Sequence, residues 1–183
     1  LSTPTCDSPR APPPESTTLY LPGTAPRIDA IFAIDNSGSM KQSDPGFITR
    51  RIVEEFAREL PANARLGMVL FGEDAFLLDP LSPPAGTAPG LRLAHGLARI
   101  DYRGRRTNIP AAVERALYEL RSNGRDGAER AIILLTDGVV DTGDRARDLE
   151  KTRWLLEDLV EEGRRAQVRI FGIAFTDRAD TQL

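Results

Sequence analysis

Residues 27–40 read RIDAIFAIDNSGSM, and this stretch decides the fold class. Its first part, residues 27–35, is short and nearly all apolar, which is typical of a strand covered on both faces. Its second part places a carboxylate and two hydroxyls at alternate positions, Asp35, Ser37 and Ser39. Taken alone, three oxygen side chains on one short loop are compatible with a nucleophile site, a metal site or a helix cap.

The rest of the chain repeats an alternation of apolar strands and amphipathic helices. Buried strands are predicted at 65–72, 129–138 and 166–175, and an antiparallel neighbour at 74–80. Helices are predicted at 45–60, 91–100, 109–122 and 145–162. We predict an α/β fold with three layers, Rossmann-like and doubly wound, in which a mostly parallel sheet has one antiparallel edge strand and helices on both faces. The Ile48, Ile52 and Phe56 stripe and Leu149 are expected to face the core.

Composition and the first residues set the domain organisation. The chain of 183 residues is 40% hydrophobic with a net charge of −3, so it is long enough for one core and does not indicate a nucleic-acid-binding protein. Residues 1–26 hold seven of the fourteen prolines and predict a linker or tail. Residues 18–21 could add a short strand, and Cys6 is either an incidental thiol or pairs outside this fragment. The domain is predicted at 27–183, with residues 176–183 beginning a further helix.

Five polar residues are predicted to meet at one edge of the sheet. They are two carboxylates and three hydroxyls that lie at strand ends or helix starts, namely Asp35, Ser37, Ser39, Thr107 and Asp137. In open α/β sheets ligands bind beyond the carboxyl ends of the strands. Because all these donors are oxygens, the set suits a hard divalent cation such as Mg²⁺, Ca²⁺ or Mn²⁺. Each residue alone could instead be a cap or turn residue.

These residues resemble the metal-ion-dependent adhesion site of the von Willebrand factor type A domain, the integrin I-like domain. The motif "DNSGSM", the distant threonine and the "TDG" at a strand end match that family in type and order, and the resemblance runs from about residue 27 to the end. It implies that Ser37 and Ser39 bind the metal directly, and that Thr107 does so directly or through water. Asp35 and Asp137 would act through water and by bonding the hydroxyls. An acidic residue of a partner protein would complete the shell.

Some features depart from that family. Arg105 and Arg106 stand where relatives often have small residues, and they could attract an acidic partner, cover the site or be solvated loop residues. Asp141 and Asp144 could be turn or cap residues, or an auxiliary cation contact. Family members also carry a further helix and strand after "IFGIAF", so we expect the chain to be a fragment of a longer protein.

Enzymatic functions fit the residues less well. A phosphotransfer site of the haloacid dehalogenase kind needs a second aspartate where Ser37 stands. A serine hydrolase needs a histidine base, and the single histidine, His95, lies in a predicted helix. No phosphate-binding Gly-x4-Gly-Lys-Ser/Thr motif is present in the sequence. A magnesium-dependent hydrolase remains the least favoured hypothesis.

The resemblance therefore predicts a bacterial, non-catalytic domain that binds a protein partner through Mg²⁺, with Ca²⁺ or Mn²⁺ as possible replacements. The alternative is a subunit of a complex-assembly system linked to a MoxR-type ATPase, in which the site would hold an ATPase or client subunit. A proline-rich tether favours an extracytoplasmic, membrane-anchored or surface location, and the assembly alternative a cytoplasmic one.

Overall fold

The computed structural model describes residues 26–82 and 89–175. The predicted linker at 1–26, which includes Cys6 and the short strand at 18–21, and the predicted loop at 81–90 therefore lie mostly outside the described residues. The predicted start of a helix at 176–183 lies wholly outside them. None of the described helices is both long and apolar enough to span a membrane.

The described residues form one five-stranded sheet. Its strands are β1 (Ile28–Asp35), β2 (Arg65–Phe71), β3 (Ala75–Ser82), β4 (Glu129–Thr136) and β5 (Val168–Ala174). Their order across the sheet is β3-β2-β1-β4-β5. Strand β3 pairs with β2 in the antiparallel direction, and the other pairs are parallel. The predicted mostly parallel sheet with one antiparallel edge strand is confirmed.

Helices lie on both sides of this sheet. They are α1 (Met40–Ser43), α2 (Ile48–Glu59), α3 (Pro89–Leu97), α4 (Ile109–Asn123), α5 (Arg145–Trp154) and α6 (Val160–Arg165), with a π-helical turn (Leu155–Leu159) between the last two. Alternate residues of β1 face opposite layers: Ile31 and Ala33 pack in the cluster that includes α4, whereas Phe32 packs in the cluster that includes α2. Both faces of the central strand are therefore buried, which explains its unbroken apolar sequence.

Helix α2 begins three residues later than predicted. The Asp44 carboxylate accepts hydrogen bonds from the backbone N–H groups of Ile48 and Thr49, at 2.5 and 2.9 Å, and so satisfies donors of the first turn. The expectation that its whole apolar stripe is core is wrong at two positions, because Ile48 is 50% and Phe56 39% exposed. Val53 faces the sheet instead, and the ends of the stripe lie at the margin of the layer.

The long helix predicted at 145–162 is interrupted by the π-helical turn. An extra residue in one turn rotates the helix faces on either side of it relative to each other. Leu155 and Leu159, both in this turn, are buried, whereas Leu149, predicted to face inward, is 68% exposed. Trp154, at the end of α5, is partly buried and packs against the core.

A buried ion pair lies at the end of the sheet where β1 begins. Asp29 is fully buried and accepts hydrogen bonds from Arg125 Nε and Nη2, at 2.9 and 2.6 Å, and from the Arg125 backbone N–H at 2.6 Å. The pair lies at the opposite end of the strands from Asp35.

We expect Asp29→Ala to lower the free energy of unfolding by about 3–5 kcal/mol, because it leaves the Arg125 guanidinium without its charged partner in a largely buried place. Urea unfolding followed by circular dichroism measures this loss. Asp126→Ala, at an exposed carboxylate of the adjoining loop, is the matched control and should change stability by less than about 0.5 kcal/mol. A loss no larger than that of the control would contradict the structural role of the pair.

Candidate metal centre

Asp35 ends β1 with its carboxylate fully buried. Its Oδ1 accepts a hydrogen bond from the Ser37 backbone N–H at 2.8 Å, and its Oδ2 accepts one from the Thr136 hydroxyl at 2.6 Å. Burial raises the pKa of Asp35 to about 6 against the lowering effect of these donors, and the negative charge of Asp137 adds to the rise. The ionised form is therefore costly here, and a cation beside it would lower that cost.

A chain of hydroxyls joins the first motif to Asp137. Ser39 Oγ donates to Asp137 Oδ1 at 2.9 Å, and the Ser37 and Ser39 Oγ atoms lie 3.0 Å apart. Because the single hydroxyl proton of Ser39 goes to the carboxylate, Ser37 is the donor in the second bond. The structure thus brings Asp137 to Ser39 and Ser37, although 98 positions separate Asp137 from Ser39 in the sequence.

Thr107 reaches the same edge of the sheet from the loop before α4. Its backbone pairs with that of Asp141: the Thr107 N–H donates to the Asp141 carbonyl oxygen at 2.9 Å, and the Asp141 N–H donates to the Thr107 carbonyl oxygen at 3.0 Å. Its side chain is buried, and its methyl group lies 3.9 Å from where a Cβ on Gly138 would be. The Thr107 side chain therefore lies next to Gly138, the residue that follows Asp137.

Backbone contacts hold the Thr107 loop against the first motif. Gly104 N–H donates to the Asn36 carbonyl oxygen at 2.8 Å, and Gly38 N–H donates to the Gly104 carbonyl oxygen at 2.9 Å. A Cβ on Gly104 would lie 2.8 Å from the Asn36 carbonyl oxygen, so the approach requires a glycine. The loop cannot retreat from the motif without breaking both bonds.

The Asn36 side chain also fastens this loop, which the sequence did not reveal. Its Oδ1 accepts from the backbone N–H groups of Asp101 and Tyr102, at 2.9 and 2.7 Å, and its Nδ2 donates to Asp101 Oδ1 at 3.0 Å. Asn36 occupies the variable position of the Asp-x-Ser-x-Ser motif. Its place inside the motif was the only available signal.

A second fastening runs from Tyr102 to Asp44. Tyr102 adopts the left-handed region, with φ of 54°, and its hydroxyl donates to Asp44 Oδ2 at 2.5 Å. Burial acts to raise the pKa of Asp44, but the hydrogen bonds from Tyr102, Thr49 and Ile48 outweigh it and lower that pKa below its usual value. Burial and the Asp44 hydrogen bond raise the pKa of the Tyr102 hydroxyl.

Ser43 is a further residue at the site that sequence reasoning missed. Its hydroxyl donates to Asp137 Oδ2 at 2.6 Å. Both oxygens of the Asp137 carboxylate therefore accept hydrogen bonds from serines of one segment, Ser39 and Ser43.

The charged residues around the site have different roles among those that the sequence left open. Asp144 caps α5 by accepting from the backbone N–H groups of Ala146 and Arg147, and these bonds lower its pKa, so its role as a cap is confirmed. Arg106 lies 3.4 Å from Asp141, beside the Thr107 loop, whereas Arg105 is exposed.

The donor set fits a hard divalent cation. Its five side chains offer only oxygen, and the part of the chain that the structure describes contains no group of three or more His, Cys, Asp or Glu side chains suited to a metal. A site of two carboxylates and three hydroxyls lacks the cysteine and histidine ligands that structural zinc sites use. Two carboxylates on neighbouring strands, one with a raised pKa, are also a place where a positive charge would be stabilised.

The fold is a three-layer α/β domain with a mostly parallel sheet, and carboxylate and hydroxyl side chains gather at the carboxyl edge of that sheet. The profile of the von Willebrand factor type A domain matches residues 29–183, and the chain belongs to this family. Domains of this family bind a divalent metal and are generally interaction and adhesion modules. Comparison with curated protein sequences found no match.

Solved structures resemble the chain in fold. An aerotolerance-related membrane protein from Bacteroides fragilis is 20% identical with a TM-score of 0.56, covering 80% of this chain and 67% of its own. A von Willebrand factor type A protein from Catenulispora acidiphila is 19% identical with a TM-score of 0.66, covering 86% and 35%. Proximal thread matrix protein 1 from the mussel byssus, with a zinc-occupied site of this type, is 19% identical with a TM-score of 0.59, covering 81% and 38%. The chain thus spans only part of these relatives.

The lowered pKa of Asp44 predicts an acid-sensitive contribution to stability. A carboxyl whose pKa is lowered by folding contributes stability that is complete above its unfolded pKa, about 3.9, and is lost as pH falls through the folded value. We expect Asp44→Asn to lower the free energy of unfolding by about 2 kcal/mol at pH 7, because the donors lose a charged acceptor and one of its two oxygens is replaced by an amide nitrogen that cannot accept. The difference from the unsubstituted chain should shrink as pH falls below about 4.

Urea titrations at a series of pH values measure this difference. Asp126→Asn is the matched control at an exposed carboxylate and should show no such dependence. A difference that stays constant into the acid range would show that the charge of Asp44 is not the stabilising feature.

Proposed function

We propose that the chain is a protein-binding domain that depends on a divalent cation, and that Ser37, Ser39 and Thr107 hold Mg²⁺ at the carboxyl edge of the sheet. The observation that supports this most is the hydrogen-bonded chain from Ser37 through Ser39 to Asp137. It gathers hydroxyls and a carboxylate from distant parts of the sequence at the edge of the sheet where ligands bind in such folds. The five proposed site residues are Asp35, Ser37, Ser39, Thr107 and Asp137.

Each residue has a separate task in this proposal. Asp35 fixes the turn by accepting the Ser37 backbone N–H, and Thr136 in turn fixes Asp35. Asp137 accepts the hydroxyl proton of Ser39, which orients that oxygen. Thr107 would be held near the site by the contacts that Gly104 and Asn36 make in its loop. The bound Mg²⁺ would supply an electrophilic coordination position.

The partner in this proposal contributes an acidic side chain. The hydroxyls proposed to bind the ion directly carry no charge, and Asp35 and Asp137 would act through water, so an anionic ligand from outside gains from binding the ion directly. The exposed Arg105, two residues before Thr107, would add to the attraction. Ca²⁺ and Mn²⁺ bind the same oxygen donors, and the mussel protein holds zinc at a site of this type, so the identity of the bound ion is to be measured.

The proposed function is non-catalytic binding. His95, the one histidine of the chain, is exposed on α3, whereas the site residues lie at the end of β1 and in loops at the sheet edge. The assembly-system alternative would use the same site for an ATPase or client subunit, and the identity of captured proteins separates the two. A location outside the cytoplasm is proposed from the proline-rich residues 1–26 and the likeness to a membrane protein.

We expect Ser37→Ala and Asp137→Ala each to reduce Mg²⁺ affinity by tenfold or more, roughly the loss seen when a metal site loses a ligand or its support. Isothermal titration with Mg²⁺ measures it, and thermal unfolding in EDTA checks that the variants fold. Ser122→Ala and Asp126→Ala, both at exposed positions, are the matched controls for a lost hydroxyl and a lost carboxylate. An unsubstituted chain that binds neither Mg²⁺, Mn²⁺ nor Ca²⁺ would rule the proposal out.

Partner binding is tested with the immobilised chain. Proteins retained in Mg²⁺ should be released by EDTA and should not bind the Ser37→Ala chain. Converting the carboxylates of a retained partner to neutral amides should abolish its capture, since the proposed contact is a carboxylate on the ion. Retention that is unchanged in EDTA would contradict the metal dependence, and unchanged capture of the amidated partner would contradict the acidic contact.

A further inference from the structure

We propose that Ser43 is a positioning residue of the metal centre, which holds the Asp137 carboxylate in one orientation and so favours Mg²⁺ over Ca²⁺. This inference rests on the proposed function. Ser43 lies outside the five residues that the family resemblance supplies, and it is identified by its contact with Asp137.

The contact adds a second point at which the carboxylate is held. Asp137 Oδ1 accepts from Ser39 Oγ at 2.9 Å, and Oδ2 accepts from Ser43 Oγ at 2.6 Å. A carboxylate held by one donor can still turn about its last bond, whereas one held at both oxygens has a fixed plane. Hydroxyl donors to an ionised carboxylate are also among the stronger hydrogen bonds in proteins.

The short helix α1, which ends at Ser43, is anchored at both of its ends. Met40, at the start of α1, is fully buried in the core cluster below. Asp44, directly after Ser43, donates its backbone N–H to the Met40 carbonyl oxygen at 2.8 Å. Its side chain binds the Tyr102 hydroxyl and the first turn of α2. The hydroxyl of Ser43 is therefore presented to Asp137 by a segment with little freedom to move.

A fixed carboxylate matters more to one cation than to the other. Mg²⁺ requires a nearly ideal octahedron with short ligand distances, whereas Ca²⁺ accepts irregular geometry and more ligands. If Asp137 could rotate, the Ser39 oxygen that it orients would move as well, which Ca²⁺ would tolerate and which would cost Mg²⁺ affinity. Ser43 thereby contributes to the choice of ion through the orientation of Asp137.

The test compares Ser43→Ala and Ser43→Thr with the unsubstituted chain by titration with Mg²⁺ and with Ca²⁺ separately. Loss of the hydroxyl should reduce Mg²⁺ affinity about tenfold, as outer-shell partners of metal ligands do. Ca²⁺ affinity should fall less, so the ratio of the two dissociation constants changes. Ser43→Thr keeps the hydroxyl and should restore both values, and Ser122→Ala should leave them unchanged.

The outcomes separate this inference from the proposed function. If the unsubstituted chain binds neither ion, the proposed function fails and this inference with it. If the chain binds Mg²⁺ and Ser43→Ala binds it equally well, or loses both ions by the same factor, only the role of Ser43 in ion choice is overturned. Ser43→Thr with the same loss as Ser43→Ala would assign the effect to packing and would also overturn it. Thermal unfolding in EDTA shows whether each variant is folded.

Discussion

The parallel pairing of β1 with β4 is the constraint on which the site depends. Ile34 lies opposite Leu135 in the register, so both strands end at the same level, with Asp35 the last residue of β1 and Asp137 the first residue after β4. Antiparallel pairing or a more distant strand would separate the carboxylates. Placing them together costs free energy, because burial and like charge oppose the ionised form of Asp35. The hydroxyls of Thr136, Ser39 and Ser43 offset part of that cost.

The third part of the site comes from a loop that no strand positions. The loop depends on side chains of the first motif and of the segment after it: Asn36 accepts the backbone N–H groups of Asp101 and Tyr102, and Asp44 accepts the Tyr102 hydroxyl. The strained φ of Tyr102 persists because these contacts determine its conformation. The first motif therefore serves twice, once through its serines and once through the residues that anchor the Thr107 loop.

Much of this could be predicted from sequence because it has a local cause. Buried strands show as apolar runs, and residues directly after parallel strands must meet at one edge, so the fold and the grouping of Asp35 with Asp137 followed from residue order. Asn36, Ser43 and Tyr102 could not be predicted in their roles, since their partners are set by tertiary contacts. The exposed Leu149 and Ile48 have a similar explanation: periodicity finds the apolar face of a helix, but not the π-helical turn or the margin of the layer.

Two buried carboxylates nine positions apart show where a cation is needed. Asp44 has three hydrogen-bond donors, and the pKa of its carboxyl is lowered, so its negative charge is already stabilised. Asp35 is also hydrogen-bonded, but burial and the neighbouring Asp137 raise its pKa to about 6. The two differ in the balance of causes: at Asp44 the hydrogen bonds outweigh burial, whereas at Asp35 burial outweighs the hydrogen bonds and the charge of Asp137 adds to the rise. A positive charge would therefore stabilise the edge of the sheet at Asp35 and Asp137, whereas at Asp44 the protein already supplies what the charge requires.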